Sequence, residues 1–254
     1  MLSRLFGSKK KEKSSRISDA NYNWGFLGVD MHSHLIPGVD DGAQTVEDSV
    51  QLVRRMMDMG FRAAVTTPHV KHEHYPNTSD TINTGLHVLR NALHEQQINF
   101  PIRAAAEYYI DDSFMELLET QPLLTVTDNQ VLVELSFMSE PMGLADILFK
   151  IQTLGYKPIL AHPERYQYMH ERPQIYEELR NRGCYLQLNT NSLTGYYGKG
   201  VKTMAEKLLA NGLYDYCGSD MHHEKHADVL KSVLRSHHIE DLMQRNFLNN
   251  QVNV

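Results

Sequence analysis

"VDMHSHLIPGVDDG", residues 29 to 42, opens as an apolar strand, then gives two histidines one residue apart, a proline–glycine turn and two aspartates. Residues i and i+2 of a strand face the same way, so His32 and His34 project together. A core strand gains nothing from two imidazoles on its buried face. The stretch therefore reads as a strand end that delivers side chains to chemistry.

From residue 26 onward, short apolar runs alternate with amphipathic segments. The pattern predicts strands over 27–32, 62–66, 101–105, 130–135, 157–161, 184–188 and 214–217. Helices are expected over 46–59, 79–97, 111–120, 143–154, 171–182, 200–211 and 226–248. Thr45 and Asp48 form a capping pair ahead of the first helix, and Gly60 follows its end. Alternating βα units imply an α/β fold with parallel strands, and seven of them favour one closed barrel over two domains. Residues 26–254 are expected to form that single domain, and residues 1–25 a basic tail.

Reactive groups of such barrels sit at the C-terminal ends of the strands. His32 and His34 end the first strand, and His69 follows the second in "VTTPHV". Glu107 follows the third in "RAAAEYY", and Glu134 lies in the fourth, "VLVELS". His162 follows the fifth in "ILAHPER", while Asp220 and His222 follow the seventh in "YCGSDMH". Only the sixth, "YLQLNTN", ends without a strong ligand. A lone His-x-His is usually a surface pair, but one joined to acids and imidazoles at five other strand ends is not. Such donors suit Mn, Fe, Zn or Ni better than Mg or Ca, and they are too many for one ion.

Composition narrows the alternatives. The chain has 254 residues, 41% hydrophobic and 22% charged, with a formal charge of −6, which disfavours a general nucleic-acid binder. The two cysteines, Cys184 and Cys217, form no disulfide framework and fit a reducing, cytoplasmic compartment. Neither is followed by the arginine a cysteine phosphatase needs, so a thiolate nucleophile is excluded. "GYYGKG", 195–200, is not a P-loop and reads as a flexible loop. The first sixteen residues carry six Lys or Arg against one Glu and read as a solvated tail, with weak contact to anionic lipid as the sharper alternative.

"DMHSHLIPGVDDG", "TTPHV", "AAEYY", "LVELS", "AHPERY" and "GSDMHH", in this order, resemble the polymerase-and-histidinol-phosphatase (PHP) superfamily. Within it they look most like the bacterial protein-tyrosine phosphatases of capsule and exopolysaccharide synthesis. The resemblance covers about residues 28–250 and implies a distorted seven-stranded (β/α) barrel. It also implies two to three divalent ions, manganese foremost, with iron or zinc as alternatives. Carried over by motif, His32, His34, Glu107 and Asp220 would hold the first ion. Glu107 would bridge to a second on Glu134 and His162, and Asp41, His69 and His222 would take the third. Asp30 would sit behind these ligands and orient an imidazole.

The implied reaction is hydrolysis of phosphotyrosine by a hydroxide that the metals activate. The implied partner is a phosphotyrosine protein, such as the tyrosine-rich C-terminal tail of a bacterial kinase of polysaccharide export. Arg165 is positioned to clamp a phosphoryl oxygen. The arginine that relatives carry after Asp-x-His is absent, leaving Lys225, His223 or His226 as its replacement. His72 and His74 read as loop histidines near the mouth. The rival readings are a small-molecule phosphatase such as histidinol-phosphatase, a nuclease, and a metal-binding interaction domain without catalysis.

Overall fold

The computed structural model of the protein describes residues 22–254. Residues 1–21, which hold most of the expected tail and its lipid contact, lie outside the described residues. The expected boundary at residue 25 is too late. Trp24 is fully buried and stacks on Phe61 with ring centroids 6.0 Å apart, so the packed body includes the end of that segment.

Among the described residues the strands form two parallel sheets. The smaller is β1 (Val29–Asp30), β2 (Ala63–Thr66) and β4 (Ile102–Ala104), in that order. The larger runs β3 (His69–Val70), β5 (Glu107–Tyr109), β6 (Gln130–Glu134), β7 (Lys157–Ala161), β8 (Tyr185–Asn189) and β9 (Tyr216–Gly218). This differs from seven uninterrupted strands in one ladder. Thr67–Pro68 separates β2 from β3, since a proline offers no N–H to a ladder. Ala105–Ala106 separates β4 from β5 in step. The breaks remain bonded across: Ala105 N–H donates to Thr66 O at 2.8 Å and Glu107 N–H to Pro68 O at 3.1 Å. The first and last strands also meet beyond their ends. Asp220 N–H donates to His32 O at 2.8 Å, and His34 N–H to Met221 O at 2.9 Å.

The strands are apolar on both faces, as parallel strands between layers must be. Leu132, Ile159 and Ala161 join Met31, Val65 and Ala105 in one buried cluster. Their sequence neighbours Val131, Val133 and Leu160 pack in the other, against the helices. Those helices are α1 (Val46–Asp58), α2 (Ser79–Glu95), α3 (Asp112–Thr120), α4 (Leu144–Thr153), α5 (Ile175–Asn181), α6 (Lys199–Ala210), α7 (Glu224–Val233) and α8 (Ile239–Met243). The Thr45–Asp48 capping box forms at the head of α1. Among the described residues no helix is long and apolar enough to cross a membrane.

Candidate active site

The strand ends converge on a cavity of about 540 Å³ whose wall includes Asp41, His69, Glu107, Glu134, His162, Arg165, Asp220, His222 and His223. His32 and His34 stand behind that wall, fully buried, against the Glu107 and Asp220 carboxylates that line it. The local chain is shaped to bring them there. His162 and Asp220 take positive φ, +34° and +49°, a region non-glycine residues seldom enter. Gly218 permits a close approach: a Cβ there would stand 2.7 Å from both Gln187 Nε2 and the His32 Cβ.

Three imidazoles have their tautomer set by acceptors. His32 Nδ1–H donates to Gln187 Oε1 at 2.9 Å, which also accepts His162 N–H at 3.2 Å. His34 Nδ1–H donates to Asp40 Oδ2 at 2.7 Å, and His222 Nδ1–H to Asp220 O at 2.9 Å. Their Nε2 lone pairs are left pointing inward. His32 Nε2 lies 3.2 Å from Glu107 Oε2 and 3.3 Å from Asp220 Oδ1, and His34 Nε2 lies 3.5 and 3.4 Å from the same atoms. The two Nε2 atoms are 3.4 Å apart.

A second proton on each ring, shared with the Glu107 and Asp220 carboxylates, is the alternative to an ion in this cluster. Burial opposes it, although Glu107 and Asp220 hold His32 up at about 9 and Asp40 helps hold His34 well above its ordinary range. Two imidazolium N–H groups facing one another would repel. His32, His34, Glu107 and Asp220 offer four donor atoms within 4.8 Å of one another, and one divalent ion held among them would satisfy all four. The donor set therefore fits a divalent transition ion.

Glu107 reaches several neighbours. Oε2 serves the pair above and also lies 3.2 Å from His69 Nδ1, while Oε1 lies 3.1 Å from His162 Nε2. Burial would raise its carboxyl, but His32 and His69 hold it well below the usual range. Glu134, buried beside the charge of Glu107, is pushed well up. A group of donor atoms closes around His69, Glu107 and Glu134. His162, expected with these two acids, lies 3.7 Å from Glu134 Oε1. Another group joins His34 to Asp41, His69 and His222, with Asp41 Oδ1 3.5 Å from both His69 Nε2 and His222 Nε2.

Arg165 is held in place from three sides. Its guanidinium lies 4.5 Å over the Phe137 ring and 4.2 Å over Tyr197, and Nη1 donates to Asp220 Oδ2 at 3.1 Å. The other nitrogens of its fork are left for an oxyanion. His223 lines the cavity and caps α7, its side chain accepting the His226 N–H. Lys225 is not among the residues that line the cavity; its Nζ lies 5.3 Å from the centroid of the Tyr196 ring, which does line it. His223 and His226 share a face three residues apart, and Lys225 falls off that face. His226, edge-on to Tyr196, is pushed down to about 4 by burial and by His222.

Other residues were not singled out. Lys71 lines the mouth with Nζ 4.0 Å over Tyr109, and no carboxylate pairs with it among the described residues. Gln187 and Asn189 come from the sixth strand of the sequence, which offers no ligand of its own. Asn189 Nδ2 donates to Asp220 Oδ2 at 2.7 Å and to Tyr197 OH at 3.2 Å. Tyr196 and Tyr197 of the expected flexible loop line the cavity. Asp30 does not orient an imidazole; it accepts Ser219 N–H at 2.8 Å and O–H at 2.9 Å, tying the first strand to the last. Burial pushes Cys184 up to about 12 and Cys217 well up, so neither offers a thiolate.

The family model described as capsular polysaccharide synthesis, CpsB/CapC, matches residues 28–254. The tyrosine-protein phosphatase YwqE of Bacillus subtilis is 29% identical over 198 residues, 78% of this chain and 78% of the relative. The tyrosine-protein phosphatase CpsB of Streptococcus agalactiae is 27% identical over 200 residues, 76% of this chain and 82% of its own. Among solved structures, one from the study of YwqE of Bacillus subtilis and CpsB of Streptococcus pneumoniae, unique metal-dependent tyrosine phosphatases, superposes with a TM-score of 0.73. It has 28% identity and covers 81% of this chain and 85% of that one.

Proposed function

The chain belongs to the CpsB/CapC family of capsular polysaccharide synthesis, and from that premise we infer that it is a metal-dependent tyrosine-protein phosphatase, a phosphoric-monoester hydrolase. The observation that carries this reading is the convergence of inward-facing imidazole lone pairs on the Glu107 and Asp220 carboxylates, with Arg165 beside them.

In this reading His32, His34, Glu107 and Asp220 would hold one ion. Glu107, Glu134 and His162 would hold a second, with His69 facing the same two acids. Asp41, His69 and His222 would hold a third. Two or three ions, manganese foremost, are supported by the imidazole and carboxylate donors. Bound there, divalent ions supply a water of lowered pKa and positive charge for the phosphoryl oxygens. The protein's own part is placement. Arg165 presents its free N–H groups to the phosphoryl group, and the stacked rings of Phe137 and Tyr197 keep that fork from turning. Gln187, Asp40 and the Asp220 carbonyl keep three imidazoles in one tautomer. A phenolate, with a pKa of about 10, departs with little help from an acid, whereas a serine alkoxide does not. The site thus favours aryl phosphates.

Several finer statements belong to the same proposal. The substrate is a phosphotyrosine protein, and the tail of a polysaccharide-export tyrosine kinase fits the open mouth and the family's role. The two sheets are read as one distorted seven-stranded (β/α) barrel, supported by the bonded breaks in two strands and by the Ser33–Met221 bridge between first and last. The single domain expected over residues 26–254 is read as starting slightly earlier, because one buried cluster runs from Trp24 to Phe247. A cytoplasmic location is supported by two buried, unpaired cysteines.

The test is hydrolysis of phosphotyrosine and phosphoserine peptides and of histidinol phosphate by purified protein with manganese, then with chelator. Phosphotyrosine should be strongly preferred and the chelator should abolish turnover. Equal rates on both peptides would overturn the reading, and a preference for histidinol phosphate would favour the small-molecule alternative.

A further inference from the structure

The catalytic cavity does not end at its aromatic wall. Phe137, Arg165 and Tyr197 also line a second groove, of about 480 Å³, together with Met138, Gln167 and Tyr168. We propose that this groove is a subsite for an apolar side chain on one flank of the substrate's phosphotyrosine. The proposal rests on the phosphatase reading.

Three observations carry it. First, the groove and the cavity share one wall, a single layer of side chains thick. An extended chain advances about 3.3 Å per residue, so a neighbour one or two residues from a phosphotyrosine in the cavity reaches across. Second, the wall is fixed: the Phe137 ring lies 5.8 Å from the His162 ring, and Arg165 is clamped between Phe137 and Tyr197. Third, the groove carries apolar surface left in water. Met138 is 88% exposed and Phe137 43% exposed, in the segment that follows Glu134. Methionine adapts its shape to varied apolar partners.

The polarity of the mouth gives the subsite a direction. Among the described residues, the only charged group in the groove wall is Arg165, already engaged by Asp220 and two rings. Lys71 and His74 line the catalytic cavity and not this groove. An apolar neighbour is therefore favoured on one side of the phosphotyrosine only.

The experiment uses the full chain loaded with manganese, an aryl phosphate, and phosphotyrosine peptides with glycine flanks in which one glycine at a time becomes leucine. Leucine on one side should lower KM about tenfold with kcat within about twofold, since burying much of a leucine side chain is a favourable transfer. Met138→Ser should reduce that preference to about threefold or less and leave aryl phosphate kinetics unchanged, while Met138→Leu keeps it. Identical KM for leucine and glycine peptides on both sides would overturn the subsite and leave the phosphatase reading standing. An undiminished leucine preference in Met138→Ser would also overturn it. Turnover of the aryl phosphate but of no peptide would overturn both readings.

Discussion

Asp40→Ala should weaken manganese binding about 10- to 100-fold without removing any residue expected to touch an ion or the substrate. The Asp40 carboxylate accepts three N–H groups: His34 Nδ1 at 2.7 Å, the His69 backbone at 3.0 Å and the Gly42 backbone at 3.0 Å. Burial would raise its pKa, but the imidazole of His34 lowers it on balance, so it acts as a charged acceptor. Losing a charge-assisted bond costs about 1.5–3 kcal/mol. A 10- to 100-fold loss in affinity corresponds to about 1.4–2.7 kcal/mol, so the two scales agree. The change acts twice, because it frees the His34 ring to rotate and loosens the turn that carries Asp41. Asp40→Asn keeps an acceptor oxygen and should lose less, about 3- to 10-fold. The assay is manganese titration of aryl phosphate hydrolysis, with metal affinity measured independently by chelator competition. Saturating manganese should restore kcat to near the wild-type value. Unchanged affinity in Asp40→Ala would refute the orienting role, and a kcat that stays low at saturation would place Asp40 in the reaction itself.

Glu107→Gln should cut turnover about a hundredfold or more and lower the number of bound ions by elemental analysis, because both its oxygens face imidazole nitrogens; full turnover with full loading would remove the bridge. Lys71→Ala should lower kcat/KM on a phosphotyrosine peptide about tenfold, and Lys225→Ala less than about twofold, since only Lys71 lines the mouth; the reverse order in steady-state kinetics would restore Lys225. Glu164 is fully buried, and that burial raises it to about 7 against its bonds to Ser192, Tyr214 and the Asn189 N–H. A carboxyl whose folded pKa lies above its unfolded one stabilises the fold at low pH and loses that contribution as pH climbs from about 4.5 to 7. Glu164→Gln does not titrate, so its stability relative to wild type should rise by about 3 kcal/mol across that window in denaturant titrations. A difference that stays flat with pH would show Glu164 to be ionised throughout.

The sequence made the strand ends legible because imidazoles and carboxylates stand out against apolar runs. It was silent on what holds them. Gln187 is a neutral amide in a strand, and nothing in its type distinguishes a residue that binds two histidines from one facing water. Asp40 and Asp41 are adjacent and identical, and only the turn decides which faces the His34 ring. Lys225 could not be set apart from His223, because the helix phase near residue 224 is fixed only by the His223 cap. The C-terminal segment read as one helix over 226–248, yet α7 stops at Val233 and α8 resumes at Ile239. Ser236 Oγ donates to Val233 O at 2.8 Å and accepts His238 N–H at 3.3 Å, which satisfies the backbone without continuing the helix. Strand breaks were equally hidden, since Pro68 looked like the end of a strand and not a pause in one.

The left-handed backbones of His162 and Asp220 concentrate strain at two of the expected ligands. Each such conformation costs roughly 1–3 kcal/mol. Both are held by bonds to neighbouring strands, His162 N–H to Gln187 Oε1 and Asp220 N–H to His32 O. The bonds that offset the strain are thus the ones that aim an imidazole and a carboxylate into the cavity, so loosening either neighbouring strand would release an expected ligand as well as a strained turn.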